Sequence, residues 1–133
     1  MQRVVLDASA VMAFLYDEPG GGAVEALLLD EETEVRVCAM NLCEVVTLLA
    51  AAGLGPEEIR ENLELFDGQC ADFTEAMAMR AGEMSTATRS AGLSLGDRAC
   101  LTLAAEMGAV AWTTDRAWKK VKTGAVVKLI RNG

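Results

Sequence analysis

Short apolar blocks alternate with amphipathic stretches along the whole chain. Arg3 to Leu6 is a β-branched run closed by Asp7, and from Ser9 to Tyr16 the apolar positions Val11, Met12, Leu15 and Tyr16 adopt helical spacing. Asp17-Glu18-Pro19-Gly20-Gly21-Gly22 ends that helix, because proline lacks an amide donor and glycine loses too much backbone entropy on ordering. A second helix is predicted from about Ala23 to Leu29. Val35 and Val37 then alternate with Arg36 and Cys38 in a strand that ends near Ala39. Asn41 opens a helix whose apolar positions Val45, Leu48, Leu49 and Ala52 follow the helical period. Gly53 and Gly55 stop it, and Pro56 occupies the first turn of the next, roughly Pro56 to Leu65.

The second half repeats the alternation. Cys70 to Phe73 reads as a very short strand and Glu75 to Ser90 as a helix with Met77, Ala81 and Met84 on one face, where methionine serves as core filler. Ser94 to Met107 is the next helix, Val110 to Thr113 a buried strand, Arg116 to Lys120 a short helix and Val126 to Ile130 a last strand. Strands that alternate with helices predict an α/β fold, a three-layer α/β/α sandwich around a central parallel sheet. At 133 residues the chain fits one domain, spanning residues 1–133.

Four acidic residues fall where a strand hands over to a helix, or on the first turn of that helix: Asp7, Glu44, Asp97 and Asp115. In an open parallel sheet these junctions gather along one edge, so carboxylates distant in sequence can share a crevice. Each has an ordinary role taken alone. Asp7 and Asp115 can cap the helices that follow them, and Asn41-x-x-Glu44 and Ser94-x-x-Asp97 both have the form of capping boxes. Capping does not explain why Asp7 and Asp115 end strongly apolar strands, where a carboxylate is costly to desolvate. Carboxylates crowded together either shift their pKa upward or bind a cation. Oxygen-only ligands favour Mg²⁺, or Mn²⁺, over zinc, and phosphodiester hydrolysis is the chemistry such a site suits.

Composition removes competing chemistries. The chain has no His, which excludes Ser-His-Asp catalysis and His-based acid–base work. Cys38, Cys43, Cys70 and Cys100 form no C-x-x-C pair, so zinc spacing is absent. Cys38 in a strand and Cys43 and Cys100 in helices are expected to act as small hydrophobes. No apolar run approaches the roughly 18 to 20 residues of a membrane span, and the N-terminus carries no signal-peptide core, so a cytoplasmic protein is expected. The net charge of −8 conceals a division: residues 1–79 carry 3 Lys/Arg against 16 Asp/Glu, whereas residues 80–133 carry 9 against 4. The basic part, with Arg80, Arg89, Arg98, Arg116, Lys119, Lys120 and Lys122, is either a phosphate-binding stripe or a solvated face.

Four segments resemble the signature segments of PIN-domain ribonucleases, specifically the VapC toxins of type II toxin-antitoxin systems. They are Leu6-Asp7-Ala8-Ser9-Ala10, Asn41-Leu42-Cys43-Glu44-Val45, Leu93-Ser94-Leu95-Gly96-Asp97-Arg98-Ala99-Cys100-Leu101 and Thr113-Thr114-Asp115-Arg116-Ala117-Trp118. The likeness runs nearly end to end, and Ser-Leu-Gly-Asp-Arg followed by a strand and Thr-x-Asp is its specific part. It implies an endoribonuclease that hydrolyses RNA with a metal-activated water, Asp7 and Asp97 binding Mg²⁺ most directly and Glu44 and Asp115 completing the pocket. Ser9 and Thr113 match hydroxyl positions that line such a pocket, although Ser9 can equally serve in local backbone hydrogen bonding. Asn41 orients Glu44 or caps its helix, Arg98 and Arg116 stand beside the acids where phosphate oxygens would lie, and Trp118 either stacks on a base or packs in the core. A homodimer and a small VapB-like antitoxin whose tail fills the acidic groove are also implied; the apolar helices between Ala10 and Leu49 are either the contact surface for such a partner or part of the chain's own core. The alternatives are a non-catalytic RNA- or protein-binding relative, a receiver-like Mg²⁺-binding signalling domain, for which Asp72 and Lys128 are poorly placed, and a metal-dependent phosphatase.

Overall fold

Val4, Val5 and Leu6, three successive residues of the first strand, are all fully buried, so this strand must be covered on both faces. In the computed structural model, which describes residues 2–131, it is the centre of a five-stranded sheet. The strands are β1 (Gln2–Leu6), β2 (Thr33–Cys38), β3 (Cys70–Ala71), β4 (Val110–Thr113) and β5 (Val126–Leu129), in the spatial order β3-β2-β1-β4-β5, every neighbouring pair parallel. Parallel pairing forces a crossover at each step. The crossovers are α1 (Ala8–Leu15) and α2 (Gly21–Leu28), then α3 (Ala39–Ala51) and α4 (Pro56–Asn62), then α5 (Glu75–Glu83), α6 (Ser85–Thr88) and α7 (Leu95–Met107), and between β4 and β5 a 3₁₀ turn at Arg116–Lys120.

The pleat sorts the strand residues between two cores. Val4 and Leu6 of β1, Val35 and Val37 of β2 and Trp112 of β4 pack with Ala10, Val11, Val24, Val45, Leu49 and Phe66 on one side. Val5, Cys38 and Ala111 pack with Met77, Ala99, Leu101, Leu103 and Trp118 on the other. A buried Val or Leu stabilises by about 1.5–3 kcal/mol, so the central strand is a main source of stability, and the site next to it rests on rigid backbone. The Gly-rich turn before α2 fits the same packing: a Cβ at Gly20, whose φ is +97°, would lie 2.6 Å from the Ile130 carbonyl oxygen.

The α/β/α architecture is therefore as the periodicity predicts, and the departures are local. The expected Glu75–Ser90 helix is divided: α5 ends at Glu83, α6 holds only Ser85–Thr88, and a 3₁₀ turn follows at Arg89–Ala91. Ser and Thr are weak helix formers there, and the buried Thr88 hydroxyl bonds back to the Met84 carbonyl at 2.9 Å, which competes with the helical ladder. Arg116–Lys120 is a 3₁₀ turn, and α4 stops at Asn62 before a further 3₁₀ turn at Glu64–Phe66. α3 opens at Ala39 rather than Asn41. Cys38 and Cys100 are buried as expected, whereas Cys43 is exposed on the outer face of α3 and does not serve as core.

Candidate active site

The strand order places a topological switch between β1 and β4. From β1 the chain moves outward through β2 to β3, then returns across the sheet to β4, so the crossovers leave the carboxyl ends of β1 and β4 in opposite directions and open a crevice. Asp7 follows β1 and Asp115 follows β4, one on each side of that opening. A pocket of about 470 Å³ lies there, and Asp7, Glu44, Asp97 and Asp115 all line it. The convergence expected of the four acids is observed. A second groove of about 520 Å³, between Leu42, Arg60 and Phe66, gathers none of these four acids.

Asp7 is the innermost acid, 3% exposed. It caps α1: Oδ1 accepts from the Ala10 amide at 2.8 Å and from the Ser9 hydroxyl at 2.7 Å, while Oδ2 accepts from the Thr113 hydroxyl at 2.6 Å. All three donors are neutral. Burial outweighs them and raises the carboxyl from 3.8 to about 6, with the Asp97 charge adding a little. Ser9 and Thr113 also tie the end of β1 to the end of β4, since the Ser9 hydroxyl accepts from the Thr114 amide at 3.0 Å and the Thr113 hydroxyl donates to Asp7; the Thr113 hydroxyl also accepts locally from the Asp115 amide at 3.0 Å.

The other three acids sit nearer solvent. Asp97 is the third residue of α7 and completes a capping box, its Oδ2 accepting from the Ser94 amide at 2.8 Å while the Ser94 hydroxyl accepts from the Asp97 amide at 3.2 Å. Burial raises its pKa, and Asp115 adds to the effect. Burial raises Glu44 as well, again with Asp97 nearby. Asp115 is exposed and caps the 3₁₀ turn, its Oδ1 accepting from the Ala117 amide at 2.9 Å. Capping and convergence thus coexist, because the junction that needs a cap is also the edge of the crevice. Below them Cys100 is fully buried, and burial pushes its thiol well above the usual range, which leaves it inert.

Asn41 does not cap α3; Cys38 holds that place, without a side-chain bond. Asn41 lies in the first turn with its side chain buried, and Nδ2 donates to Glu44 Oε1 at 2.9 Å and to the Gly96 carbonyl at 3.0 Å. It therefore orients Glu44, and the capping-box form of Asn41-x-x-Glu44 is misleading. Arg98 faces away from the acids: Nη1 donates to the Ala81 carbonyl at 2.8 Å and fastens α7 to α5. Neither Arg98 nor the exposed Arg116 lines the pocket. Trp118 is 1% exposed and packs in the second core, so it offers no face to a base. Two other residues of the wall, Tyr16 and Arg131, carry no sequence motif. Tyr16 is half-exposed at the rim, and Arg131 is held there by Glu18 Oε1 at 3.3 Å and the Pro19 carbonyl at 3.3 Å.

No group of three His, Cys, Asp or Glu side chains among the described residues is already assembled in ion-holding geometry. The acids share a pocket at a spacing that a ligand would have to tighten or bridge through water.

The family model described as PIN domain matches residues 4–124. Comparison with curated proteins gives no match. Among solved structures the chain is similar to VapBC2 from Rickettsia felis bound to a DNA fragment from their promoter, at TM-score 0.73 and 15% identity over 96% of this chain and 98% of that one. It is also similar to Mycobacterium tuberculosis VapC20, a sarcin-ricin loop cleaving toxin, at TM-score 0.70 and 17% identity over 88% and 93%. FitAcB from Neisseria gonorrhoeae aligns at TM-score 0.64 and 18% identity over 93% and 95%. At these identities the structural likeness speaks for the fold alone.

Proposed function

Because the chain belongs to the PIN-domain family, with the family model covering most of its length, we propose that it is a Mg²⁺-dependent endoribonuclease acting as the toxin of a VapBC-type pair. The observation that carries this is the meeting of Asp7, Glu44, Asp97 and Asp115 at the sheet's switch point, where Asp7 is buried with only neutral donors. A buried carboxylate so placed lacks the positive charge that would hold it ionised at neutral pH.

The donor set fits a hard divalent cation, since every candidate ligand is a carboxylate oxygen, and Mg²⁺ tolerates the loose spacing because it keeps several waters. Asp7 and Asp97 would hold it most directly, with Glu44 and Asp115 acting from the rim. When bound, the ion supplies positive charge to a phosphoryl oxygen and makes water more acidic. The protein does the rest. Ser9 and Thr113 fix the Asp7 carboxylate, the Ser94 cap fixes Asp97, and Asn41 fixes Glu44. Burial holds the carboxyls of Glu44 and Asp97 above their ordinary pKa, which makes each a better proton acceptor than a solvated carboxylate. Arg131 is a cationic group at the wall for the phosphate backbone of RNA.

VapBC-5 from Mycobacterium tuberculosis, similar at TM-score 0.61, is a member of the VapBC family of toxin-antitoxin systems, which supports a small antitoxin as partner; the proposal adds a homodimer as the assembly, with the whole chain acting as one PIN unit. No helix among the described residues is long and apolar enough to cross a membrane; the cytoplasm as the site of action is part of the proposal.

The test is cleavage of a structured RNA by the purified protein with Mg²⁺, with Mn²⁺ and with EDTA, beside Asp97→Asn. Cleavage that needs the metal and disappears in Asp97→Asn, with the fold unchanged by circular dichroism, is the expected result. RNA binding without metal and without cleavage products would instead identify a non-catalytic PIN relative. Turnover of a phosphomonoester in preference to RNA would identify a phosphatase.

A further inference from the structure

Gly96 is the second residue of α7, buried, and its φ lies in the ordinary helical range, so backbone conformation does not demand a glycine there. A helix would favour alanine at that place. What the position lacks is room. A Cβ at residue 96 would lie 2.5 Å from Glu44 Cδ and 2.7 Å from Oε2, and closer still to Oε1; these three carboxylate atoms are its nearest neighbours. The Glu44 carboxylate thus lies directly over the Gly96 Cα. The contact is fixed from the other side by Asn41, whose Nδ2 donates to Glu44 Oε1 at 2.9 Å and to the Gly96 carbonyl at 3.0 Å. Both neighbours are acceptors, so the amide can present only its NH₂ group to them. One buried side chain of α3 therefore holds the acid of its own helix and the first turn of α7 together, and the missing methyl lets the acid lie down between them.

We propose that Gly96 is a positioning residue for the acidic site: by having no side chain it sets where the Glu44 carboxylate stands relative to Asp97, its neighbour in sequence. This rests on the assignment of Glu44 to a metal-dependent nuclease site. Gly96→Ala displaces the Glu44 carboxylate, because the carboxylate is the far end of a flexible side chain and yields before the helix backbone does. The fold is kept and the site is misaligned.

The experiment is a double-mutant cycle of Gly96→Ala and Glu44→Ala, read by RNA cleavage, by Mn²⁺ calorimetry and by thermal melting. Gly96→Ala is expected to melt no lower than the parent, to lose about 100-fold in cleavage, the scale of a misplacement near 1 Å, and to fall towards Glu44→Ala in Mn²⁺ affinity. On the Glu44→Ala background the same change should alter cleavage and Mn²⁺ binding by less than about twofold, because the group it acts through is gone. Equal effects on both backgrounds overturn the inference, as does parental cleavage and Mn²⁺ binding by Gly96→Ala. If Gly96→Ala is too unstable to assay, the double variant must still fold like Glu44→Ala. A loss of fold there also overturns the inference, since the methyl group then collides with something other than Glu44. Full activity in Glu44→Ala alone is a different failure, and it removes Glu44 from the site.

Discussion

Replacing Asp7 with Asn should make the metal-free protein more stable while removing its activity. The carboxyl titrates at about 6 in the folded protein against 3.8 for the free group, chiefly through burial. The folded state thus binds the proton more tightly than the unfolded chain does. The stabilisation from this group is fully present below pH 3.8 and is lost as pH rises through about 6. Above that, keeping Asp7 ionised in its buried place costs up to about 3 kcal/mol, since each tenfold gain in proton affinity on folding is worth about 1.36 kcal/mol. Asparagine has nearly the same shape and carries no charge. Oδ1 can go on accepting from Ala10 and Ser9, and Nδ2 faces the Thr113 hydroxyl, which must turn from donor to acceptor at a cost of about 1 kcal/mol. A net gain of about 2 kcal/mol at pH 8 remains, or roughly 5 to 10 °C for a chain of this size. The assay is thermal melting in EDTA between pH 5 and pH 8. The parent should lose stability across that range and Asp7→Asn should lose less, so that the two curves diverge as pH rises. Added Mg²⁺ should raise the parent's melting point and leave the variant's unchanged. If Asp7→Asn melts at or below the parent at pH 8 without metal, or the two curves run parallel, the Asp7 charge is not the burden proposed here.

Thr113→Val keeps the shape of a buried side chain but removes the donor to Asp7 Oδ2 and the acceptor for the Asp115 amide. It should destabilise by about 1–3 kcal/mol, and by more at pH 8 than at pH 5, because the lost hydroxyl favours the ionised form of Asp7; denaturant titrations at the two pH values give the comparison, and equal losses would contradict the link. Arg98→Met should cost about 1–2 kcal/mol of stability by freeing the Ala81 carbonyl and leave RNA affinity unchanged in a filter-binding assay. A fall in affinity with a salt slope smaller by about 1 would restore Arg98 as a phosphate contact.

The segments that carry the resemblance contain Asp7, Glu44, Asp97 and Asp115, together with Ser9, Thr113 and Asn41, so the candidate chemistry is legible in the chain itself; Glu18, a further acid of the crevice wall, lies outside them. Its supporting residues are less so. Arg98 and Arg116 follow acids in sequence, yet successive residues on a helix or turn point about a quarter-turn or more apart, and Arg98 ends on the α5 side. Tyr16 and Arg131 reach the pocket wall from the end of α1 and from beyond β5, and neither belongs to a motif. Ser94-x-x-Asp97 is a true capping box, whereas Asn41-x-x-Glu44 has the same spacing but lies inside a helix that begins at Ala39. One spacing serves both geometries, and only the starting point of the helix separates them.

Local sequence determined which stretches became strands and helices, because periodicity, proline, glycine and caps act over a few residues. It determined also that Asp7 and Asp115 stand just past strands, whereas Glu44 lies in the second turn of α3 and Asp97 opens a helix that follows a 3₁₀ turn, not a strand, contrary to the junction expected for both. Only the tertiary structure decided the order β3-β2-β1-β4-β5, and with it that Asp7 and Asp115 face each other across a switch point and that Asp7 is buried while Asp115 is exposed. Burial, and therefore the raised pKa of Asp7, depends on elements far apart in the chain, such as β1 against β4, whose Thr113 hydroxyl offsets the rise only in part. So does the room that Gly96 leaves for Glu44, which exists only where α3 and α7 meet.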